Sequence, residues 1–259
     1  MGPFELRGRA PTLHIAQHRG TGPPVVLLHG LASSSVTFQN LLPLIEGSHE
    51  CFAIDLLGFG ESPIVLGSDY GLADHVAAVH RTIRTLRLRA PFAIVGHSMG
   101  SLIAARYAAD HPRQVRKVVL VSPPIYLSPS QLSRGIDRRV MDLYLRAYEY
   151  IRLNKNFTLR SAARVERLLS IPGAMDINER TWTPFVKSLE NSIEQQTTIS
   201  DLARIRVPIE VIYGSMDQFR SDAVLHIVSR LDGVSTHRVT GSDHLIGKRL
   251  ARVVSRALG

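Results

Sequence analysis

The stretch AIVGHSMGSL, Ala93 to Leu102, decides how this chain is read. An apolar run stops at Gly96, a serine stands two residues on, Gly100 follows, and a helix-like run begins. A strand can end on glycine and a helix can begin with serine, but neither explains a serine held between two glycines at the junction. In an open parallel sheet, ligands bind beyond the carboxyl ends of the strands. A tight strand-to-helix turn at such an end pushes the side chain of Ser98 outward, and the two glycines leave it room. Gly-x-Ser-x-Gly is the pattern of a nucleophile elbow. The helix that follows adds free N–H groups and a positive dipole end, which suit developing negative charge. A plain glycine-rich turn would carry the same letters, so the rest of the chain has to decide.

A serine hydroxyl is a weak nucleophile at neutral pH. It needs a base, and the base needs an acid to orient it. In the order expected after an elbow, the acid comes first and the histidine last. Asp217 follows the apolar run IEVIYG, and His244 follows the shorter THRVTGSDH, before the last helical stretch. The other histidines fit plainer roles: His111 at a helix end, His226 within a helix, His237 within a strand pattern. His97, the elbow's spacer, is expected to turn its ring away from the hydroxyl. Asp222 reads as a helix cap, and Asp243 is too close to His244 for their side chains to converge. An oxyanion would be held by the N–H of Met99, directly after the serine, and by a second N–H from an earlier strand's loop. VVLLHGLASSS supplies that loop, with Gly30 at the turn and Leu31 as donor. Ser33, Ser34 and Ser35 could add a hydroxyl, although small residues there equally serve as turn and cap.

Working outward, short apolar runs alternate with amphipathic stretches. PPVVLLHG, CFAIDLLG, PFAIVGHS, VRKVVLVSPP and VPIEVIYGSMD suit strands buried on both faces of a parallel sheet. Residues 72–86, 101–111, 221–231 and 246–258 suit crossover helices, which makes an α/β fold. The alternation breaks between residues 123 and 200, where helical patterns occur and no convincing buried strand does. IDRRVMDLYLRAYEYIRL sets Val140, Leu143, Tyr144, Ala147 and Ile151 on one helical face. The expected division is a core of residues 1–122 and 201–259 with a helical cap of residues 123–200.

The chain has 259 residues and a net charge of +9. Its arginines are dispersed, apart from RTIRTLRLR at Arg81 to Arg89, which reads as a solvated helix face. No zinc-finger or aromatic RNA-binding pattern occurs, so nucleic acid is not an expected partner. No apolar run approaches a membrane span, and the N-terminus lacks the apolar core of a signal peptide. One cysteine, Cys51, cannot form an internal disulfide, which suits a reducing compartment. The expected location is cytoplasmic.

With these residues placed, the chain resembles the α/β-hydrolase superfamily, in its capped esterase, lipase and carbon–carbon hydrolase branch. The matching motifs are His29-Gly30, DLLGFGES from Asp55 to Ser62, the elbow at Ser98, YGSMD to Asp217 and GSDH to His244. The resemblance implies an eight-stranded, mostly parallel sheet with a lid inserted where residues 123–200 lie. It implies hydrolysis of a small-molecule or lipid ester, with neither metal nor organic cofactor. Thioesterases, perhydrolases and carbon–carbon hydrolases share the same triad. Carbon–carbon hydrolases often carry tryptophan after the histidine, where this chain has Leu245. Met141, Tyr144, Tyr148, Phe157 and Trp182 are the expected pocket side chains from the cap, with Gly30 and Leu245 from the core. A ligand-sensing protein of this fold and a lipase at a membrane surface, helped by the basic charge, are the rival roles.

Overall fold

The computed structural model describes residues 10–126, 136–166 and 175–259, excluding the side chains of 136–144, 163, 165 and 166. In chain order the elements are β1 (Ile15–Arg19), β2 (Pro24–Leu28), α1 (Leu42–Ile45), β3 (Glu50–Ile54), α2 (Leu72–Leu86), β4 (Phe92–His97), α3 (Met99–Asp110) and β5 (Val115–Val121). Then follow α4 (Ile136–Leu153), α5 (Lys155–Glu166), α6 (Trp182–Ser188), α7 (Thr198–Arg204), β6 (Ile209–Gly214), α8 (Asp222–Val228), β7 (Val234–Val239) and α9 (Lys248–Leu258). The helix expected over residues 72–86 has those bounds.

The strands form one sheet in the order β1-β3-β2-β4-β5-β6-β7, parallel throughout except for β1 against β3. Seven strands lie among the described residues, one fewer than the eight expected. β1, half exposed, is the outermost strand described. Why the strand sequences lack alternation is visible in the packing. Val26 and Leu28 of β2, Ile94 of β4, Val118 and Leu120 of β5, and Val211 of β6 enter the core beneath α2 and α3. Val25, Leu27, Ala93, Val95, Val119, Val121 and Ile212 enter the opposite core, beneath α1 and α9. Successive residues thus leave water on opposite faces, each burial of a large side chain contributing roughly 1.5–3 kcal/mol.

Two features of this topology place the site. β2 pairs with β3 on one side and β4 on the other, so the strand order reverses there and a crevice opens beyond their carboxyl ends. Leu28 and Gly96 are register partners, which sets the loop after β2 beside the elbow after β4. Between β5 and β6 the described chain is helical, as expected from its patterning. The helix predicted from IDRRVMDLYLRAYEYIRL is α4. On its proposed inner face, Ile151 packs against the core, while Val140, Leu143 and Tyr144 have side chains outside the described set.

Candidate active site

Ser98 joins β4 to α3 with φ 51° and ψ −123°. A side-chain-bearing residue held in so sparsely populated a conformation costs about 1–3 kcal/mol and persists only where its surroundings over-determine it. Here the Ser98 N–H donates to the Val121 carbonyl at 2.9 Å and the Ser98 carbonyl accepts from the Ser101 N–H at 2.8 Å. The Ser101 hydroxyl donates to the Gly96 carbonyl at 2.7 Å. A Cβ on Gly96 would stand 2.2 Å from the Gly100 carbonyl oxygen, and one on Gly100 would stand 2.2 Å from that of Leu28. Both elbow glycines are therefore required by backbone approaching backbone.

Three residues beyond β6 lies Asp217, and His244 occupies the loop before α9. His244 Nδ1 donates to both carboxylate oxygens of Asp217, at 3.0 and 3.1 Å. The Phe219 N–H donates to the same carboxylate at 2.9 Å. Burial would raise the Asp217 pKa. The His244 hydrogen bond and charge, with the Phe219 N–H, outweigh it and hold the carboxyl below its usual range. With Nδ1 carrying the proton, Nε2 of His244 is left as the basic nitrogen. Ser98 and His244 border one cavity without a hydrogen bond between them. Such contacts often tighten only around substrate.

His97 does something its place in the sequence did not announce. Expected to turn its ring away from the nucleophile, it is buried, borders the same cavity, and packs against the His244 ring with centroids 5.1 Å apart. Its Nε2–H donates to the His244 carbonyl at 2.8 Å. Burial, reinforced by the neighbouring His244, pushes its pKa down to about 3, so the ring is a neutral donor. His97 thereby ties the elbow to the loop that carries His244.

The loop after β2 closes the other side. His29 is fully buried, which lowers its pKa. Its Nε2 accepts the Leu56 N–H at 2.8 Å while Nδ1 donates to the Gly30 carbonyl at 2.8 Å. A Cβ on Gly30 would stand 2.9 Å from that of Ser98, so only glycine brings this backbone so close. Leu31 lines the cavity, and Met99 opens α3, where N–H groups lack intrahelical partners. The adjacent serines are mostly structural. Ser33 Oγ lies 2.8 Å from Thr37 Oγ1, Ser34 caps a short 3₁₀ turn, and the Ser35 N–H donates to buried Asp55.

The cavity has a volume of about 480 Å³ and is largely apolar. Gly30, Tyr148 and Leu245 line it, together with Ile151, Met175, Ile177, Phe185, Leu189, Ile193, Gln218 and Phe219. Trp182 does not line it. Its ring packs against Phe185 and carries the Lys155 ammonium 5.9 Å from its centroid. Phe157 is exposed and meets Tyr150 edge to face. Tyr144 and Met141 have side chains outside the described residues. Leu189 and Ile193 reach the cavity from a π-helical turn, Leu189–Glu194, a feature common at functional sites but invisible in a 3.6-residue pattern. Asp222, expected as a cap, pairs with Arg220, while Ser221 caps α8. Among the described residues no group of three or more His, Cys, Asp or Glu side chains is placed to hold a metal ion. Among them, too, no helix is long and apolar enough to cross a membrane.

An elbow serine, a carboxylate-held histidine and a close loop after β2 at the switch point of a parallel sheet define an α/β-hydrolase arrangement. The chain matches the family model described as alpha/beta hydrolase fold over residues 23–246, and it belongs to that family. It is 24% identical over 223 residues to Lipase 1 of Psychrobacter immobilis, covering 81% of this chain and 67% of that protein. It is 37% identical over 121 residues to the probable lysophospholipase BODYGUARD 4 of Arabidopsis thaliana, covering 45% of this chain. The match spans only 28% of that longer plant protein. An esterase (EaEST) from Exiguobacterium antarcticum has a similar structure, with a TM-score of 0.76, 18% identity and coverage of 96% of this chain and 97% of that one.

Proposed function

We propose that the chain is a serine hydrolase that cleaves a carboxylic ester of a small or lipid-like substrate through an acyl-enzyme. The observation that carries this reading is the hydrogen bond from His244, which borders the same apolar cavity as the elbow serine, to buried Asp217. Nε2 of His244 takes the hydroxyl proton as Ser98 Oγ attacks the ester carbonyl. Asp217 keeps the Nδ1 proton in place and offsets the charge that forms on the ring. The N–H groups of Leu31 and Met99 hold the oxyanion, each such donor contributing about 3–4 kcal/mol. His244 then returns its proton to the leaving alcohol. Water repeats the sequence on the acyl-enzyme and releases the acid. No step calls for a metal or an organic cofactor.

Residues 123–200 serve in this reading as a cap on a core of residues 1–122 and 201–259. The contribution of Tyr148, Ile151, Phe185, Leu189 and Ile193 to the cavity supports that division. Their aliphatic and aromatic surface suits an acyl chain. The lipase and probable lysophospholipase relatives support ester chemistry without fixing the substrate.

Hydrolysis of p-nitrophenyl esters from acetate to long-chain acyl by the wild type and by Ser98→Ala tests it. Loss of the nucleophile should lower turnover by about 10⁴–10⁶-fold. The preferred chain length then measures the cavity. A folded protein inert on every ester would redirect the triad to carbon–carbon bonds, thioesters or peracids. Tight ligand binding without turnover would make it a sensor. Turnover that survives in Ser98→Ala would overturn the assignment of the nucleophile.

A further inference from the structure

At the amino ends of the strands, opposite the elbow, five arginines gather around the loop from α2 to β4. The loop separates two hollows. One, of about 710 Å³, is lined by Arg87, Arg89 and Arg116 against Pro23, Pro24 and Pro91. The other, of about 380 Å³, is lined by Arg84, Arg87, Arg89 and Arg113 against Leu88 and Phe92. The sequence pattern suggested a solvated helix face, but only Arg84 of this group lies on α2. Arg87 adopts φ 49° just past the helix, and Arg89 is in the loop.

Arg106, Arg152, Arg180, Arg204 and Arg220 each pair with a carboxylate. Among the described residues, no side chain of Arg84, Arg87, Arg89, Arg113 or Arg116 forms a salt bridge or a hydrogen bond. The Nε of Arg116 is moreover buried without a partner. Glu50 is the one carboxylate lining either hollow, and His18 Nε2 already lies 2.9 Å from it. Like charges converging without a counter-ion repel one another, and a buried N–H without an acceptor is unfavourable. Guanidinium groups are planar forks matched to tetrahedral oxyanions, which they bind bidentately. Low-dielectric walls of proline and leucine strengthen the field in the hollows.

We propose that this arginine cleft binds phosphate-bearing anions, at a site separate from the hydrolase cavity at the other end of the sheet. The two hollows share Arg87 and Arg89, so each is lined by three or more arginines. The shared chemistry is a phosphate ester or anhydride, from either a soluble phosphorylated molecule or the headgroup of an anionic lipid.

The test is direct binding by the full chain at low salt. Calorimetric titration with pyrophosphate reports on a soluble ligand. Co-sedimentation with phosphatidylcholine vesicles, with and without phosphatidylglycerol, reports on headgroups. The wild type should bind pyrophosphate saturably, or the phosphatidylglycerol vesicles selectively. Arg87→Gln/Arg89→Gln should weaken that binding roughly tenfold or more, each basic side chain near an anionic surface contributing substantially. Arg84→Gln/Arg113→Gln, at exposed side chains, should weaken it independently and guards against a folding defect in the first pair. Pyrophosphate binding alone assigns a soluble ligand, and vesicle binding alone assigns the lipid. Binding of neither probe, or equal binding by both variants and the wild type, would overturn the proposal. The readout is independent of ester turnover, so it stands or falls apart from the proposed hydrolysis.

Discussion

The two ends of this sheet treat polar groups in opposite ways. At the carboxyl ends, the buried groups are joined into a network. Asp217 accepts from His244 and Phe219, His97 donates to the His244 carbonyl, and His29 bridges Leu56 and Gly30. At the amino ends, five arginines stand open and unpaired. Burial explains the difference. A polar atom removed from water is costly unless it has a partner, so the inner groups are mostly satisfied from within, the buried Nδ1 of His97 excepted. The exposed guanidinium groups of Arg84, Arg87, Arg89 and Arg113 keep their water, and nothing in folding requires them to be paired, whereas the Nε of Arg116 is buried without a partner.

The largest break in this contrast should come from Asp217→Asn. The isosteric amide fills the same space but no longer fixes the Nδ1–H tautomer of His244. Ester turnover should fall by about 10⁴-fold with little change in fold. A loss of under tenfold in steady-state kinetics would mean that another group orients the base. His97 should have a smaller effect. His97→Leu removes the donor to the His244 carbonyl, and a misplacement of about 1 Å in a catalytic group can cost about 10²-fold. His97→Gln, whose amide can still donate there, should recover much of that loss in kcat. Equal activity in both variants would show that the contact does not position the base.

The sequence made some of this contrast legible and hid the rest, for physical reasons. Short-range constraints leave marks on neighbouring residues. Gly96 and Gly100 are glycines because a Cβ would strike backbone, and the consecutive apolar residues of β2, β4 and β5 reflect two buried sheet faces. The order of Ser98, Asp217 and His244 is equally visible because each follows a strand. The bond from His97 to a carbonyl 147 residues away leaves no pattern, since any loop can offer a carbonyl. Trp182 illustrates the converse. Its size suggests a pocket wall, yet Lys155 and Phe185 take up its ring instead. The run RTIRTLRLR showed a concentration of charge but not the hollows around it, and the loop beyond Leu86 is what gathers the arginines there.

Acid should separate the two ends next. Burial lowers His97 to about 3 and His75 to about 4, and lowers His29 as well. Unfolded, each would titrate near 6.5, so below that pH the unfolded chain binds protons that the folded chain refuses. Stability is therefore unaffected above about pH 6.5 and falls as pH drops toward 4, by up to ~1.4 kcal/mol per pH unit for each histidine. The depressed Asp217 adds its own loss only at lower pH, as the medium passes through its folded value. Urea midpoints at about pH 7.5 and about pH 5 measure the histidine component. His97→Gln should flatten the slope by one histidine's share. An unchanged slope would mean that His97 takes up a proton in the folded protein. The arginines stay charged throughout and contribute nothing to it.

The smallest effect should come from the amino-end arginines, where its sign is informative. Replacing Arg87 and Arg89 with glutamine removes no ion pair and no hydrogen bond, so the stability change should stay within about 0.5 kcal/mol. Because it relieves repulsion among like charges, the variant should be slightly more stable than the wild type at low salt. The difference should vanish at about 1 M salt, where the screening length shrinks to about 3 Å. A salt-independent loss above about 1 kcal/mol in thermal unfolding would show instead that these side chains hold the loop. In that case the amino end would resemble the carboxyl end after all, with its arginines serving the fold rather than a ligand.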